Sequence, residues 1–214
     1  MILGRFFNSR FFEGITKATD VLLIGFYFII CSLPVFTIGA STTALYYAIH
    51  KCTFKGKGYT TDFFRSFKSN FKQSTLSWLI FILLFIVLGG DIYITRNMLQ
   101  PDNPLAASSM FFTVLLAFMV VWSIYHFAYI ARFENGFKAS FKVSAIIMIA
   151  NLGWTLLIMA IVIAAIVLVY LFLFLYVFMP GIMACILHPI LEKVFRKYMT
   201  PEDLAAEEED LSEI

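Results

Sequence analysis

Few side chains in the apolar part of this chain are of a type that does chemistry. Its three histidines are His50, His126 and His188. His50 lies two residues before Cys52, and His188 lies one helical turn after Cys185. A metal site needs several ligands that converge on one point, which two isolated His/Cys pairs do not supply. We therefore expect no metal site and no cofactor, and we interpret His126 as a hydrogen-bonded residue of a helix interface rather than a proton relay.

The sequence also lacks the motifs of common enzyme classes. It contains no G-x-S-x-G nucleophile elbow, no H-E-x-x-H zinc motif and no glycine-rich phosphate-binding loop. Intramembrane aspartyl hydrolysis would need two carboxylates deep within the membrane, whereas Asp20 and Asp91 lie at the ends of apolar segments. We therefore predict that the protein is not an enzyme.

Composition indicates that lipid surrounds most of the chain. Hydrophobic residues make up 61% of the 214 residues, against roughly 45–50% in a soluble domain. Charged residues make up only 14%, which is too few to cover the surface of a soluble protein of this size. The composition therefore disfavours a disordered chain, a disulfide scaffold or a cytosolic α/β enzyme, and it predicts the lipid bilayer as the main partner.

The apolar residues form continuous runs rather than the alternating pattern of a membrane β-barrel, so the predicted fold is all-α. Four such regions cover residues 21–49, 74–90, 105–131 and 143–191. The first is divided by Pro34 and the last by Pro180-Gly181, and each therefore supplies two segments. We predict six membrane segments arranged as three hairpins. Whether 21–49 crosses fully or forms a re-entrant hairpin stays open at this point.

The basic residues predict the direction of threading. Lys and Arg collect on the cytoplasmic side of membrane proteins. If residues 21–49 enter and return, every basic residue except Arg96 lies on one side of the membrane. We therefore predict that both termini lie in the cytoplasm. Membrane insertion explains this basic surface, so no nucleic-acid partner is expected.

Two connections on this side have the pattern of helices that lie in the lipid headgroup layer. In the segment 59–72, phenylalanines recur on one face, and Arg65, Lys68 and Lys72 lie on the other, where they are expected to contact anionic headgroups. The segment 137–142 repeats the pattern more weakly. We predict one transmembrane domain over residues 1–200, followed by an acidic cytosolic tail, 201–214, that is too polar to pack.

The stretch after Pro34 is the most distinctive part of the sequence. Pro34 is expected to end one helix, and Thr37 is expected to cap the next. Small side chains then recur at helical spacing, which lets membrane helices approach closely. This small-residue face consists of Gly39, Ala40, Thr43, Ala44 and Ala48. Packing within the chain is the simpler interpretation of it, and docking of another membrane protein is the alternative.

The same stretch carries a family resemblance. The sequence resembles the YesL-like bacterial membrane proteins at Phe6-Phe7, at 32–40 (SLPVFTIGA), at 44–47 (ALYY), at 62–68 (DFFRSFK) and at 70–73 (NFKQ). The second half of the chain is similar only in hydropathy and helix order. The molecular function of that family is unknown, and its members commonly accompany carbohydrate ABC importers in Gram-positive bacteria. The resemblance therefore implies a bacterial plasma-membrane protein linked to sugar uptake.

Two functions follow from these observations. The first is a non-enzymatic accessory or regulatory partner of a carbohydrate ABC importer, in contact with its permease or solute-binding protein. The second is a transporter or channel that acts alone. The second function predicts a polar cavity between hairpins, lined by Ser32, Thr37, Ser41, Thr42, His126 and Asn151.

Overall fold

A computed structural model describes residues 2–55, 59–98, 108–202 and 204 of the chain. The residues so described form seven α-helices and no strand, which confirms the all-α prediction. The helices are α1 (Ile2–Ser32), α2 (Ile38–Lys55), α3 (Tyr59–Asn97), α4 (Ser108–Arg132), α5 (Phe137–Ala150), α6 (Leu152–Leu171) and α7 (Met179–Phe195). The acidic tail predicted for 201–214 lies almost wholly outside the described residues.

The break between α1 and α2 lies at Pro34, as predicted. A short 3₁₀ turn, Val35–Thr37, connects the two helices. Thr37 does not cap α2 as expected. Its hydroxyl instead contacts the carbonyl oxygens of Cys31 and Pro34 at 2.5 and 2.6 Å. The reason is that the last carbonyls of a helix have no partner within it, and the Thr37 hydroxyl supplies one.

The two interfacial helices are not separate elements. Residues 59–72 form the first part of α3, whose 39 residues extend for about 58 Å. The segment contains neither proline nor glycine, so nothing interrupts the helix before residue 74. Residues 137–142 likewise begin α5, which continues to Ala150. Arg65, Lys68 and Lys72 are exposed on α3.

The turn in the last apolar region is also displaced from its predicted position. The chain leaves α6 at Leu171 and passes through a 3₁₀ turn, Leu173–Val177, before α7 begins. Pro180 and Gly181 lie in the first turn of α7, where a proline is tolerated because its missing N–H would have no partner there. Gly181 allows a close approach between helices, since a Cβ there would lie 2.5 Å from the carbonyl oxygen of Val21.

Among the described residues, four helical segments are long and apolar enough to cross a membrane. They are Ile15–Ser32, Thr60–Asn97, Ser108–Arg132 and Leu152–Leu171. The other two helices that the six-segment scheme requires, α2 and α7, have 18 and 17 residues. The structure therefore supports a helical membrane protein with four candidate membrane-spanning helices.

Helix α2 lies at the centre of the fold, in contact with α1, α3, α4 and α7. Its small-residue face is buried, and Ala40, Ala44 and Ala48 have no exposed surface. A Cβ at Gly39 would lie 2.5 Å from the carbonyl oxygen of Ser74 and 2.6 Å from Cβ of Trp78 on α3. This face is therefore in contact with helices of the same chain.

We expect Gly39→Ala to destabilise the protein by about 1–3 kcal/mol, because the added methyl group collides with the backbone of α3. Thermal unfolding in detergent measures this effect. The matched control is Gly153→Ala on α6, where no atom beyond the adjoining residues and the backbone of the same helix lies within 4 Å of the added methyl group. This control should unfold at the same temperature or slightly higher, because alanine favours a helix more than glycine does. Equal unfolding temperatures for the Gly39 variant and the native chain would contradict the analysis.

Candidate functional site

The candidate site is a buried polar cluster that two helices build from pairs of residues four positions apart. Tyr46 and His50 are such a pair on α2, and His188 and Glu192 are the other on α7. Residues four apart point in the same direction from a helix, so each pair presents both side chains to the other helix. Arg132, the last residue of α4, completes the cluster.

Glu192 is the centre of this cluster. The Tyr46 hydroxyl donates a hydrogen bond of 2.8 Å to Oε1 of Glu192. Nε of Arg132 donates to the second carboxylate oxygen, Oε2, at 3.4 Å. Nδ1 of His50 lies 3.3 Å from Oε1. Both carboxylate oxygens of Glu192 therefore have partners, one from α4 and two from α2.

The two histidines contact each other as well as Glu192. Nδ1 of His50 lies 2.9 Å from Nε2 of His188, and the rings are 5.2 Å apart between centroids. Nε2 of His188 lies 4.0 Å from Oε1 of Glu192. Two imidazole nitrogens and one carboxylate oxygen thus lie within 4.0 Å of one another.

The cluster is closed to solvent. The exposed fractions are 7% for His50, 3% for His188 and 4% for Glu192. A buried carboxylate is tolerated only when it is paired, and the Tyr46 hydroxyl, Nδ1 of His50 and the Arg132 guanidinium all lie within contact distance of the two Glu192 oxygens.

A cavity of about 430 Å³ lies beside the cluster, between α1, α2, α4, α6 and α7. Its wall is mostly aliphatic and aromatic. Tyr46 belongs to that wall through its ring, while its hydroxyl bonds to Glu192. The cavity is suited to an apolar group rather than to a sugar, because it offers few hydrogen-bonding partners.

The polar residues expected to line a transport pathway are instead dispersed. His126 lies between Ser77 and Ser144, at 2.9 and 3.2 Å. This arrangement agrees with its interpretation as a hydrogen-bonded interface residue. Asn151 donates to the hydroxyl of Tyr198 at 2.8 Å. Of the six residues expected in the pathway, Thr42 lines the cavity described above.

The other predicted site residues lie in two places. Thr43, on the buried small-residue face, hydrogen-bonds to the hydroxyl of Ser74 at 2.9 Å. Pro34 is exposed at the break between α1 and α2. The cations proposed to contact headgroups lie on α3, where Lys68 and Lys72 line a shallow depression with three phenylalanines, Phe64, Phe67 and Phe71.

The sequence did not predict the cluster because His50 and His188 were each considered with the nearest cysteine, Cys52 and Cys185. The structure brings His50 and His188 together, although 138 residues separate them. A usable signal was present in the spacing of four between Tyr46 and His50 and between His188 and Glu192. The spacing places each pair on one helix face, but it does not show that the two faces meet.

Comparison with known proteins identifies a family for part of the chain. Residues 21–92 match the family described as protein of unknown function, DUF624. This match confirms the resemblance to an uncharacterised family. Searches of curated proteins and of solved structures found no match. The DUF624 region contains Tyr46 and His50, whereas Arg132, His188 and Glu192 follow it in the chain.

We expect Glu192→Ala to lower the free energy of unfolding by about 3–5 kcal/mol, because Arg132 and the Tyr46 hydroxyl lose their buried acceptor. Equilibrium unfolding of the purified protein in mixed micelles measures the loss. Glu134→Ala is the control, since Glu134 is exposed between α4 and α5. It should change the free energy of unfolding by less than about 0.5 kcal/mol. Equal stability of the two variants would show that the cluster does not hold the helices together.

Proposed function

We propose that this chain is a non-enzymatic, multi-pass protein of the bacterial plasma membrane and an accessory or regulatory partner of a carbohydrate ABC importer. In this proposal it has six membrane segments, both termini lie in the cytoplasm, and contact with the importer is made between helices within the bilayer. The link to sugar uptake is what the resemblance to the YesL-like proteins implies, and the apolar helices support membrane insertion.

The observation that carries the proposal is the uncovered outer surface of α6. This helix is apolar on all sides, yet only Thr155, Ile158 and Ala165 are buried. Leu156 and Ile163 are exposed to about half their surface, at 54% and 52%. A helix that is apolar all round and uncovered by its own chain faces lipid or another membrane helix. We therefore assign the partner contact to α6 rather than to the small-residue face of α2, which lies inside the protein.

A transporter or channel that acts alone is the second candidate. It is less well supported because the described cavity is lined almost wholly by apolar side chains, and His126 and Asn151, expected to line a pathway, are bonded at separate places. A sugar or an ion would have few groups to replace its hydration water along that cavity.

The proposed threading is tested with single cysteines in a chain whose Cys31, Cys52 and Cys185 are replaced by serine. A cysteine at Asn97 should react with a membrane-impermeant maleimide in intact cells. Cysteines at Lys68 and Glu134 should react only after the cells are opened, because the basic residues lie in the cytoplasm. Reaction of Lys68→Cys and Asn97→Cys from the same side would refute the six-segment scheme.

The proposed partner is tested with a photo-crosslinking amino acid placed at Leu156 or Ile163. Irradiation of cells growing on a carbohydrate should link the chain to the membrane subunit of a carbohydrate ABC importer, identified by mass spectrometry. The control is the same amino acid at Ile158, which is fully buried on the opposite side of α6 and should give no such product.

Two other outcomes would overturn the partner proposal. Products that contain only lipid or a second copy of the chain would show that α6 does not contact an importer. Solute flux through proteoliposomes that hold this chain alone would favour the second candidate. Loss of that flux in a Thr42→Val variant would assign the flux to the cavity that Thr42 lines.

A further inference from the structure

We propose that His50, His188 and Glu192 bind a divalent transition-metal ion, Zn²⁺ being the one that best fits these ligands. The proposal rests on the juxtaposition of Nδ1 of His50, Nε2 of His188 and Oε1 of Glu192, all within 4.8 Å of one another. It is independent of the proposed partnership with an importer.

The spacing of these three atoms matches a metal site. The distances between them are 2.9, 3.3 and 4.0 Å. A point at the centre of a triangle with these sides lies about 2.0 Å from each corner, which is the length of a Zn–N or Zn–O bond. An ion at this point would lie in the plane of the three atoms, and a small side-chain movement that shortens the 4.0 Å distance between Nε2 of His188 and Oε1 of Glu192 would give the tetrahedral arrangement of zinc. The ion would also separate two imidazole nitrogens that otherwise share one proton.

The chemistry of the ligands selects the class of metal. Imidazole nitrogen favours zinc and its first-row neighbours, whereas magnesium and calcium prefer sites made wholly of oxygen. Two imidazoles and one carboxylate are a donor set that zinc uses in sites with three protein ligands and one further position. In such sites a water molecule supplies the fourth ligand.

Neighbouring residues hold the carboxylate in the orientation that the metal needs. Arg132 binds the other oxygen, Oε2, and leaves Oε1 directed toward the histidines. Tyr46 uses one lone pair of Oε1, and a metal ion bound to the same oxygen would replace its 3.3 Å contact with Nδ1 of His50. Partners of this kind orient metal-binding side chains in known sites and contribute to metal affinity.

The helix ends favour a cation at this position. Arg132 is the last residue of α4, and Glu192 lies in the last turn of α7. The carbonyl groups at the C-terminus of a helix carry partial negative charge, which attracts a positive ion. The C-terminal carbonyl groups of α4 and α7 therefore offset part of the repulsion between Arg132 and a bound metal ion.

A metal ion at this site would join α2 to α7 across the chain. Tyr46 belongs to the cluster and also lines the cavity. Leu187 and Leu191, which directly precede His188 and Glu192 in the chain, line the same cavity. Metal binding would therefore fix one end of that cavity. Because Tyr46 and His50 come from the DUF624 region and the other ligands follow it, the site requires both parts of the chain.

The experiment measures metal content and affinity in the full chain, purified in detergent through a tag that contains no histidine. After treatment with a chelator, the protein should bind one Zn²⁺ per chain in a calorimetric titration. Co²⁺ in place of Zn²⁺ should give the ligand-field bands of a tetrahedral nitrogen and oxygen site, without the charge-transfer band of a thiolate ligand.

Variants locate the ion. His50→Gln and His188→Gln should each weaken Zn²⁺ binding by roughly a hundredfold, and Tyr46→Phe by roughly tenfold or more. Glu192→Gln keeps a carbonyl oxygen for Arg132 and should also lose binding, which separates the metal role from the ion pair. His126→Gln is the matched control, because His126 is equally buried but bonded to Ser77 and Ser144. It should bind Zn²⁺ with unchanged affinity.

Three results would overturn the assignment. The first is a folded native chain that binds neither Zn²⁺ nor Co²⁺. The second is undiminished binding by the folded His188→Gln variant. The third is loss of binding in Cys52→Ser or Cys185→Ser, which would assign the metal to the cysteines. If His188→Gln does not fold, His188→Cys tests the same ligand. A Co²⁺–thiolate charge-transfer band in this variant, absent from the native chain, would show that the ion is bound by residue 188.

Discussion

A carboxylate removed from water must find its compensation within the protein, and Glu192 meets this requirement through α2 and α4. Without the Tyr46 hydroxyl and the Arg132 guanidinium, its burial would cost several kcal/mol. The contacts to this one side chain join α2, the end of α4 and the end of α7. They are one of the constraints that fix the position of α7 against the centre of the fold.

Close backbone contact provides the complementary constraint on the apolar part of the molecule. Lipid gives helices no hydrophobic reason to associate, so association depends on dispersion and on short distances. Gly39 brings α2 against α3, and Gly181 brings α7 against the carbonyl oxygen of Val21 on α1. The small-residue face of α2 is accordingly in contact with the chain itself. Large apolar side chains stay exposed on α1, α3, α4 and α6, and the proposed partner contact is on α6.

The family match and the cluster describe different parts of the chain. The DUF624 region, residues 21–92, contains α2 and its pair of polar side chains. Glu192, His188 and Arg132 come from the helices that follow. The cluster therefore links the region of family similarity to the second half of the protein, where the sequence resemblance is one of hydropathy and helix order.

The sequence by itself determined the solvent and the secondary structure of this protein. Continuous apolar runs with few charges indicate helices in lipid, and Pro34 within the first run indicates a break, because proline lacks the backbone donor. Tertiary structure decided the remaining features. Pro180 lies in the first turn of a helix instead of dividing one, because its missing N–H would have no partner there. Helix α3 continues through the segment predicted to lie at the interface, because that segment contains neither proline nor glycine. The pairing of His50 with His188 depends on which faces of α2 and α7 contact each other. Side-chain packing between helices decides this, and because 138 residues separate the two histidines, no local spacing in the sequence predicts it.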